Sequence, residues 1–258
     1  MKTKKILTPK KSRILDKNIG KKCTNTQRPT LLVIVRHAES ERNKIKKDQV
    51  YFADEESRKD TRGIPDNKIS LTAEGFEQAR KTGLALHKHF GHFDYAYHSG
   101  YLRTEQTLEN ILKTWPENKR NKIKIRNNPF IRERHGGYAY DMTEKEATLH
   151  FPWLKDYWQT FGGFFAQPPG GESLANVVER VYLFINMLFR DRVGQKVLIV
   201  THGGTLRCLR FILEHWNYDQ ALKWPAGESP KNCGVTVYKY NSKEKRLKLE
   251  EYNKVYWQ

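Results

Sequence analysis

The sequence predicts an α/β fold: a three-layer α/β/α sandwich with a mostly parallel central sheet. Three observations carry that prediction. Short, unbroken, β-branched runs, Leu31-Leu32-Val33-Ile34-Val35 and Val197-Leu198-Ile199-Val200, read as strands buried on both faces. Longer segments between them repeat apolar residues at spacings of three and four, the signature of helices with one face on a core. The two kinds of segment alternate, which calls for parallel strands joined by helical crossovers.

The elements follow in order. Thr30–Val35 is the first strand, and its continuous apolar character makes it central. Thr72 caps a helix running to about Phe90, with Phe76, Ala79, Gly83, Leu86 and Phe90 on one stripe. Phe93–His98 is the second strand, and a helix begins at about Leu102. Lys122–Arg126 alternates and reads as the third strand. Ser173 caps a helix in which Leu174, Val177, Val178, Val181, Ile185 and Leu188 share a face. Val197–Val200 is the fourth strand, with a helix starting near Thr205. Val235–Tyr240 and Leu247–Tyr252 flank Asn241–Arg246 as a closing hairpin.

Residues 30–258 are expected to form a single domain with a cap-like aromatic segment at about 138–170. The net charge of +18 is unevenly spread: residues 1–30 hold ten Lys/Arg against one Asp. Residues 1–29 therefore read as a basic, disordered leader, and residues 1–28 offer a contact to a polyanion. The leader lacks the apolar stretch of a secretory signal, and no segment approaches the roughly 18 apolar residues of a membrane span. Cys23, Cys208 and Cys233 are too few and too scattered for a disulfide framework or a zinc site. A cytoplasmic protein in a reducing compartment is the expectation; the oligomeric state is left open.

Two strands end in histidine. The first runs into Arg36-His37 and the fourth into Thr201-His202-Gly203-Gly204. Ligands of open α/β sheets bind beyond the carboxyl ends of the strands, so parallel neighbours would bring both rings to one sheet edge. A lone histidine at a strand end is more often structural than catalytic. The adjoining Arg36 changes that balance, because a guanidinium offers forked donors that match phosphate oxygens. Neutral imidazole can attack phosphorus and form a covalent intermediate. His202-Gly203-Gly204 reads equally well as a tight turn or as an anion site with free backbone N–H groups. Arg103 and Glu133 would attract no notice alone.

Their combination resembles the histidine phosphatase superfamily, in its phosphoglycerate mutase-like branch. The segments that carry the resemblance are Arg36-His37-Ala38-Glu39-Ser40 with Asn43, Leu71-Thr72-Ala73-Glu74-Gly75-Phe76-Glu77-Gln78-Ala79, and Ser99 through Thr107. Arg132-Glu133-Arg134-His135-Gly136-Gly137 through Thr143, Pro169-Gly170-Gly171-Glu172-Ser173 and Thr201-His202-Gly203 complete the set. The six lie in the family's order across roughly residues 30–240. Each is weak alone, and together they are specific. Ala38 departs from the usual Gly, and His135-Gly136 stands where the family often has Asp-Phe.

The resemblance implies a phosphoglycerate mutase-like fold and places His37 as phosphoryl acceptor. Arg36, Arg103 and His202 would then form the phosphate pocket, Glu133 would donate and accept protons, and Ser40, Asn43 and Gly203 would contact substrate. Cationic donors suit a phosphoryl group in transfer, and a carboxylic acid can protonate the leaving alkoxide. No cofactor and no metal are implied. The implied reaction is hydrolysis of a small phosphorylated metabolite. The Trp-Asn and Gly-Trp segments of phosphoglycerate mutases are absent, and Lys44–Ile69 is instead charged and irregular, so mutase chemistry is the alternative. A phosphatase-like binding module that holds nucleic acid or an acidic partner on its basic tail is a further alternative. Between Tyr138 and Pro169 the aromatics read as a helical cap with its own small core, or as a lid that stacks on substrate.

Overall fold

The computed structural model describes residues 28–47, 49–223 and 228–258. Almost all of the basic leader, Cys23 included, lies outside the described residues. Six strands form one sheet: β1 (Leu31–Arg36), β2 (Tyr95–His98), β3 (Lys124–Asn127), β4 (Lys196–Thr201), β5 (Val235–Asn241) and β6 (Arg246–Lys254), in the order β3-β2-β4-β1-β5-β6. The β1–β4, β2–β4 and β2–β3 pairs are parallel, while β5 joins β1 antiparallel and carries β6 as a hairpin. The first strand is thus interior, paired with β4 from Leu31↔Lys196 to Arg36↔Thr201.

The helices are α1 (Glu41–Lys46), α2 (Glu55–Arg58), α3 (Ala73–Phe90), α4 (Leu102–Lys113), α5 (Glu117–Arg120), α6 (Glu144–His150), α7 (Leu154–Phe165), α8 (Leu174–Asp191), α9 (Gly203–Leu213) and α10 (Tyr218–Leu222). Side chains alternate across each strand, and the two faces of β1 bury different partners. Leu31, Val33 and Val35 pack with Leu86 of α3 and with Leu108 and Ile111 of α4. Leu32 and Ile34 pack with Val181 and Ile185 of α8 and Leu209 of α9. Helices therefore cover both faces, as the alternation of elements predicts. Among the described residues no helix is long and apolar enough to cross a membrane.

Several boundaries differ from the sequence reading for physical reasons. Phe93 is buried and stacks on Trp115, but strand pairing starts at Tyr95, beyond the Asp94 N–H to Lys196 carbonyl bond. The third strand runs Lys124–Asn127, two residues later at its start, and is a solvent-exposed edge whose alternation has no core behind it. Helix α9 starts at Gly203 rather than Thr205, because extended His202 is its N-cap residue. The irregular stretch after Lys44 contains short helical turns. They are set by capping boxes at Ser40 and Asp54, and such a device leaves no apolar periodicity to read.

The aromatic segment holds α6 and α7. Phe164 enters the α8/α9 side of the main core and packs on Phe211 and Tyr218. Tyr157 meets Trp153 edge-on and Phe161 at a tilt near the surface, where Trp153 and Phe161 are about half exposed.

Candidate active site

The β1–β4 ladder places the two histidines. Its hydrogen bonds continue past the strand end, where His37 N–H donates to the Thr201 carbonyl at 2.8 Å. The next residues on the two strands are then side by side, and the His37 and His202 ring centroids lie 5.1 Å apart at 64°. Both rings are buried. His37 Nδ1 sits 2.7 Å from the Ala38 carbonyl, which requires the proton on Nδ1 and leaves Nε2 as the lone-pair nitrogen. Burial pulls the His37 pKa well below its ordinary value, and the charges of Arg103 and Arg36 push it the same way. The ring is neutral at physiological pH.

His202 shares its environment. Nε2 is 2.8 Å from the Ser99 hydroxyl, which also pairs with Thr104, while Nδ1 is buried without a hydrogen-bond partner. Burial again lowers its pKa well below the usual histidine value, followed by the charges of Arg103 and neighbouring groups. A buried unpaired ring nitrogen is costly unless something arrives to satisfy it. An oxyanion between the two rings would do so.

Arg103 comes from the first turn of α4 and is buried. Its guanidinium meets the Asp66 carboxylate through both terminal nitrogens at 3.2 Å, donates to the Asp66 carbonyl at 2.6 Å, and lies over the Tyr101 ring. Tyr101 also makes an edge contact with His202 at 5.0 Å between centroids. Arg36 is partly buried at the end of β1 and donates to the Pro230 carbonyl.

Glu133 is held from behind. The Ile131 carbonyl accepts from the Thr201 hydroxyl at 2.8 Å, and the Arg132 carbonyl accepts from Thr205 at 2.6 Å and Arg180 at 2.9 Å. Arg180 reaches the Glu133 carbonyl as well. The Glu133 carboxylate accepts from the Arg134 N–H and stands 3.9 Å from His202 Nδ1. A Cβ on Gly204 would come within 2.6 Å of Glu133 Oε1, so that glycine clears the place the carboxylate occupies. Gly203 makes no such demand: an added Cβ would meet its nearest atoms at 3.7 and 3.8 Å. Glu172, the other carboxylate of this region, is committed to Arg180, Arg132 and the His135 N–H. Burial raises its pKa, but those hydrogen bonds outweigh burial and the net shift is downward.

The remaining sequence motifs brace the loop after β1. Gln78 accepts from the Glu39 N–H, Thr72 donates to the Glu39 carboxylate, and Thr107 accepts from the Ala38 N–H. Gly75 packs so close that an added Cβ would lie 2.1 Å from the Glu39 carbonyl oxygen. Ser40 is buried, and its hydroxyl completes the capping box with Asn43. Asn43 lines a cavity of about 520 Å³ that also contains Glu133 and Gly204. The structure thus brings together His37, His202, Arg36, Arg103 and Glu133, with Asn43 beside them and Ser40 turned into the helix cap. Sequence reasoning missed Asp66, Tyr101 and Arg180, and it read Gly204 as part of a turn or anion site without seeing that it makes room for Glu133.

Two buried histidines, with the charges of Arg36 and Arg103 acting on them and the Glu133 carboxylate alongside, thus meet at one sheet edge. The sequence profile described as the histidine phosphatase superfamily (branch 1) matches residues 32–253, and the chain belongs to that family. Among its relatives is the 2,3-bisphosphoglycerate-dependent phosphoglycerate mutase of Parvibaculum lavamentivorans, 32% identical over 203 residues, 75% of this chain and 84% of that protein. The alpha-ribazole phosphatase of Shigella flexneri has a similar fold, with TM-score 0.66, 20% identity, and coverage of 87% of this chain and 96% of that one. A mycobacterial glucosyl-3-phosphoglycerate phosphatase in complex with inorganic phosphate aligns with TM-score 0.63 and 20% identity, over 89% of this chain and 99% of that one.

Proposed function

We propose that the chain hydrolyses phosphate monoesters through a phosphohistidine on His37. The observation that carries this reading is the His37 ring itself. It is neutral, fixed by the Ala38 carbonyl with Nε2 free, and 5.1 Å from a second buried histidine with an unsatisfied nitrogen. The Nε2 lone pair forms the N–P bond as the P–O ester bond breaks. The bonding pair leaves on the alcohol oxygen, which takes a proton from Glu133. Water then attacks phosphorus, gives its proton to Glu133, and the N–P bond breaks to return His37 and release inorganic phosphate. Arg36, Arg103 and His202 hold the equatorial oxygens throughout.

The test is rapid-quench trapping with radiolabelled phenyl phosphate, followed by mapping of the labelled peptide. An acid-labile, base-stable phosphoryl group on the His37 peptide is expected, with turnover abolished in His37→Ala. Label on another residue, or turnover retained in that variant, would sink the reading. The relatives named as mutases favour one alternative end to the same chemistry. Including a phosphoglycerate during turnover, before the quench, distinguishes them, since a mutase transfers its phosphoryl group to that alcohol rather than to water.

A further inference from the structure

Behind His202 two buried hydroxyls form a chain whose protons can be counted. Thr104, in the first turn of α4, has its hydroxyl 2.7 Å from the Tyr101 carbonyl. A carbonyl cannot donate, so the single hydroxyl proton of Thr104 lies on that contact. The Ser99 hydroxyl is 2.9 Å from the Thr104 hydroxyl, which has only lone pairs left to offer, so Ser99 donates there. Ser99 then has no proton for His202. Its oxygen stands 2.8 Å from His202 Nε2, so that nitrogen carries the hydrogen. The Tyr101 N–H fills the remaining lone pair of Ser99 at 3.3 Å.

A neutral imidazole holds one proton, so His202 Nδ1 is a bare lone pair. This is the buried nitrogen without a hydrogen-bond partner, and the Glu133 carboxylate stands 3.9 Å from it. His37, with its ring centroid 5.1 Å away, holds a second lone pair on Nε2. An oxyanion repels a lone pair but accepts a strong hydrogen bond from a charged N–H. Burial opposes charge on His202 most, followed by Arg103 of α4, His37 of β1, Arg180 of α8 and Arg36 of β1. Glu133 favours that charge, and Tyr101 presents only a ring edge contact. An arriving anion tips the balance toward the imidazolium, which keeps both N–H groups paired, one to Ser99 and one to the anion.

We propose that Thr104 and Ser99 are positioning residues: they fix the proton of His202 on Nε2 and so couple anion binding to uptake of one proton at Nδ1. The inference rests on the reading of the space between the two histidines as the seat of the phosphoryl group. An ester monoanion brings that proton itself, whereas a dianion draws it from solvent. Thr104 decides the tautomer. Without its hydroxyl the Ser99 proton turns to Nε2, the ring's own proton moves to Nδ1, and the anion meets an N–H already in place.

Long-range proton–nitrogen NMR of the full chain, with His202 assigned by His202→Gln, reads the tautomer directly. The anion-free protein should carry the proton on Nε2, and Thr104→Val should move it to Nδ1. A proton on Nδ1 in the unaltered protein overturns the proposal, even if Thr104→Val does not fold. Calorimetry with tungstate, a tetrahedral dianion without a titratable proton near neutral pH, reads the coupling. Titrations in Tris and in HEPES should give uptake of about one proton in the unaltered chain and in Thr104→Ser. Uptake should fall to near zero in Thr104→Val. Undiminished uptake in that variant would assign the proton to Glu133 or His37 and overturn the role of Thr104. Bound tungstate without proton uptake overturns the coupling alone, whereas failure of tungstate to bind overturns it together with the phosphoryl-pocket reading.

Discussion

The Asp66 carboxylate faces the Arg103 guanidinium through two contacts of 3.2 Å, one to each terminal nitrogen, and the Asp66 carbonyl takes a third bond from Nη1 at 2.6 Å. The Tyr140 hydroxyl donates to the same carboxylate. The first residue of a short 3-10 turn, Asp66–Lys68, thereby fixes the buried arginine of the candidate site.

Asp66→Ala should cost about 2–4 kcal/mol of stability, because it leaves a buried guanidinium without its charge partner. An oxyanion can take over that orphaned group. Thermal stabilisation by saturating orthovanadate should therefore be larger in Asp66→Ala than in the unaltered chain. Equal shifts in the two proteins would show that Asp66 does not orient Arg103 for anions.

The paired histidines impose a pH dependence on stability. Both are buried with folded pKa values well below normal, so the unfolded chain takes up protons near pH 6.5 that the folded chain refuses. Stability is complete above that pH and falls below it, by up to about 1.4 kcal/mol per pH unit for each ring. Urea denaturation between pH 7 and 5.5 should show the loss, and a His37→Asn, His202→Asn double variant should flatten it. An unchanged slope would place the dependence elsewhere.

The two glycines of the α9 turn should behave differently. Gly204→Ala intrudes on the Glu133 carboxylate, a side-chain end that can move, so folding should survive while kcat for an alkyl phosphate drops by about tenfold or more. Gly203→Ala should stay within a few-fold of normal on the same substrate. Equal effects would mean that the turn itself, not room for the carboxylate, is what requires glycine.

Glu133→Gln should slow bond breaking for alkyl phosphates far more than for aryl phosphates. An aryl oxide leaves without much protonation, whereas an alkoxide needs general-acid help worth typically about 10²–10⁴-fold. Single-turnover kinetics on both ester classes would read the contrast. Equal slowing would remove Glu133 from the donor role. Glu172 is a poor replacement, given its commitment to Arg180 and Arg132.

What the sequence made visible and what it hid divide along a physical line. Buried strands are apolar runs, so Leu31–Val35 and Val197–Val200 announce themselves, and the histidines at their ends follow from parallel pairing. The amphipathic faces of α3 and α8 are equally legible. Asp66, Arg42 and Arg180 are not. Each acts through a contact with residues dozens of positions away, and a charged side chain carries no periodic mark of such a contact. Glu133 was reachable through family likeness alone, since an isolated glutamate is ordinarily a solvated surface charge. The motif residues Thr72, Gln78 and Thr107 were visible as a pattern. Their task as braces of the Glu39 and Ala38 backbone emerged with the structure.

Those braces also bear on motion. The backbone just after His37 is tied at once to α3, to α4 and, through the Asn232 amide, to the segment before β5. With three separate ties, its amides should exchange with the slowest set, those that open in global unfolding rather than in local breathing. The opposite wall, built from the short helices after Ser40 and the segment around Tyr140, rests on side-chain ion pairs such as Arg58–Glu146 instead of on strands. If the pocket opens at all, the expected place is that wall, while the His37 loop keeps its position like an anvil under a moving hammer.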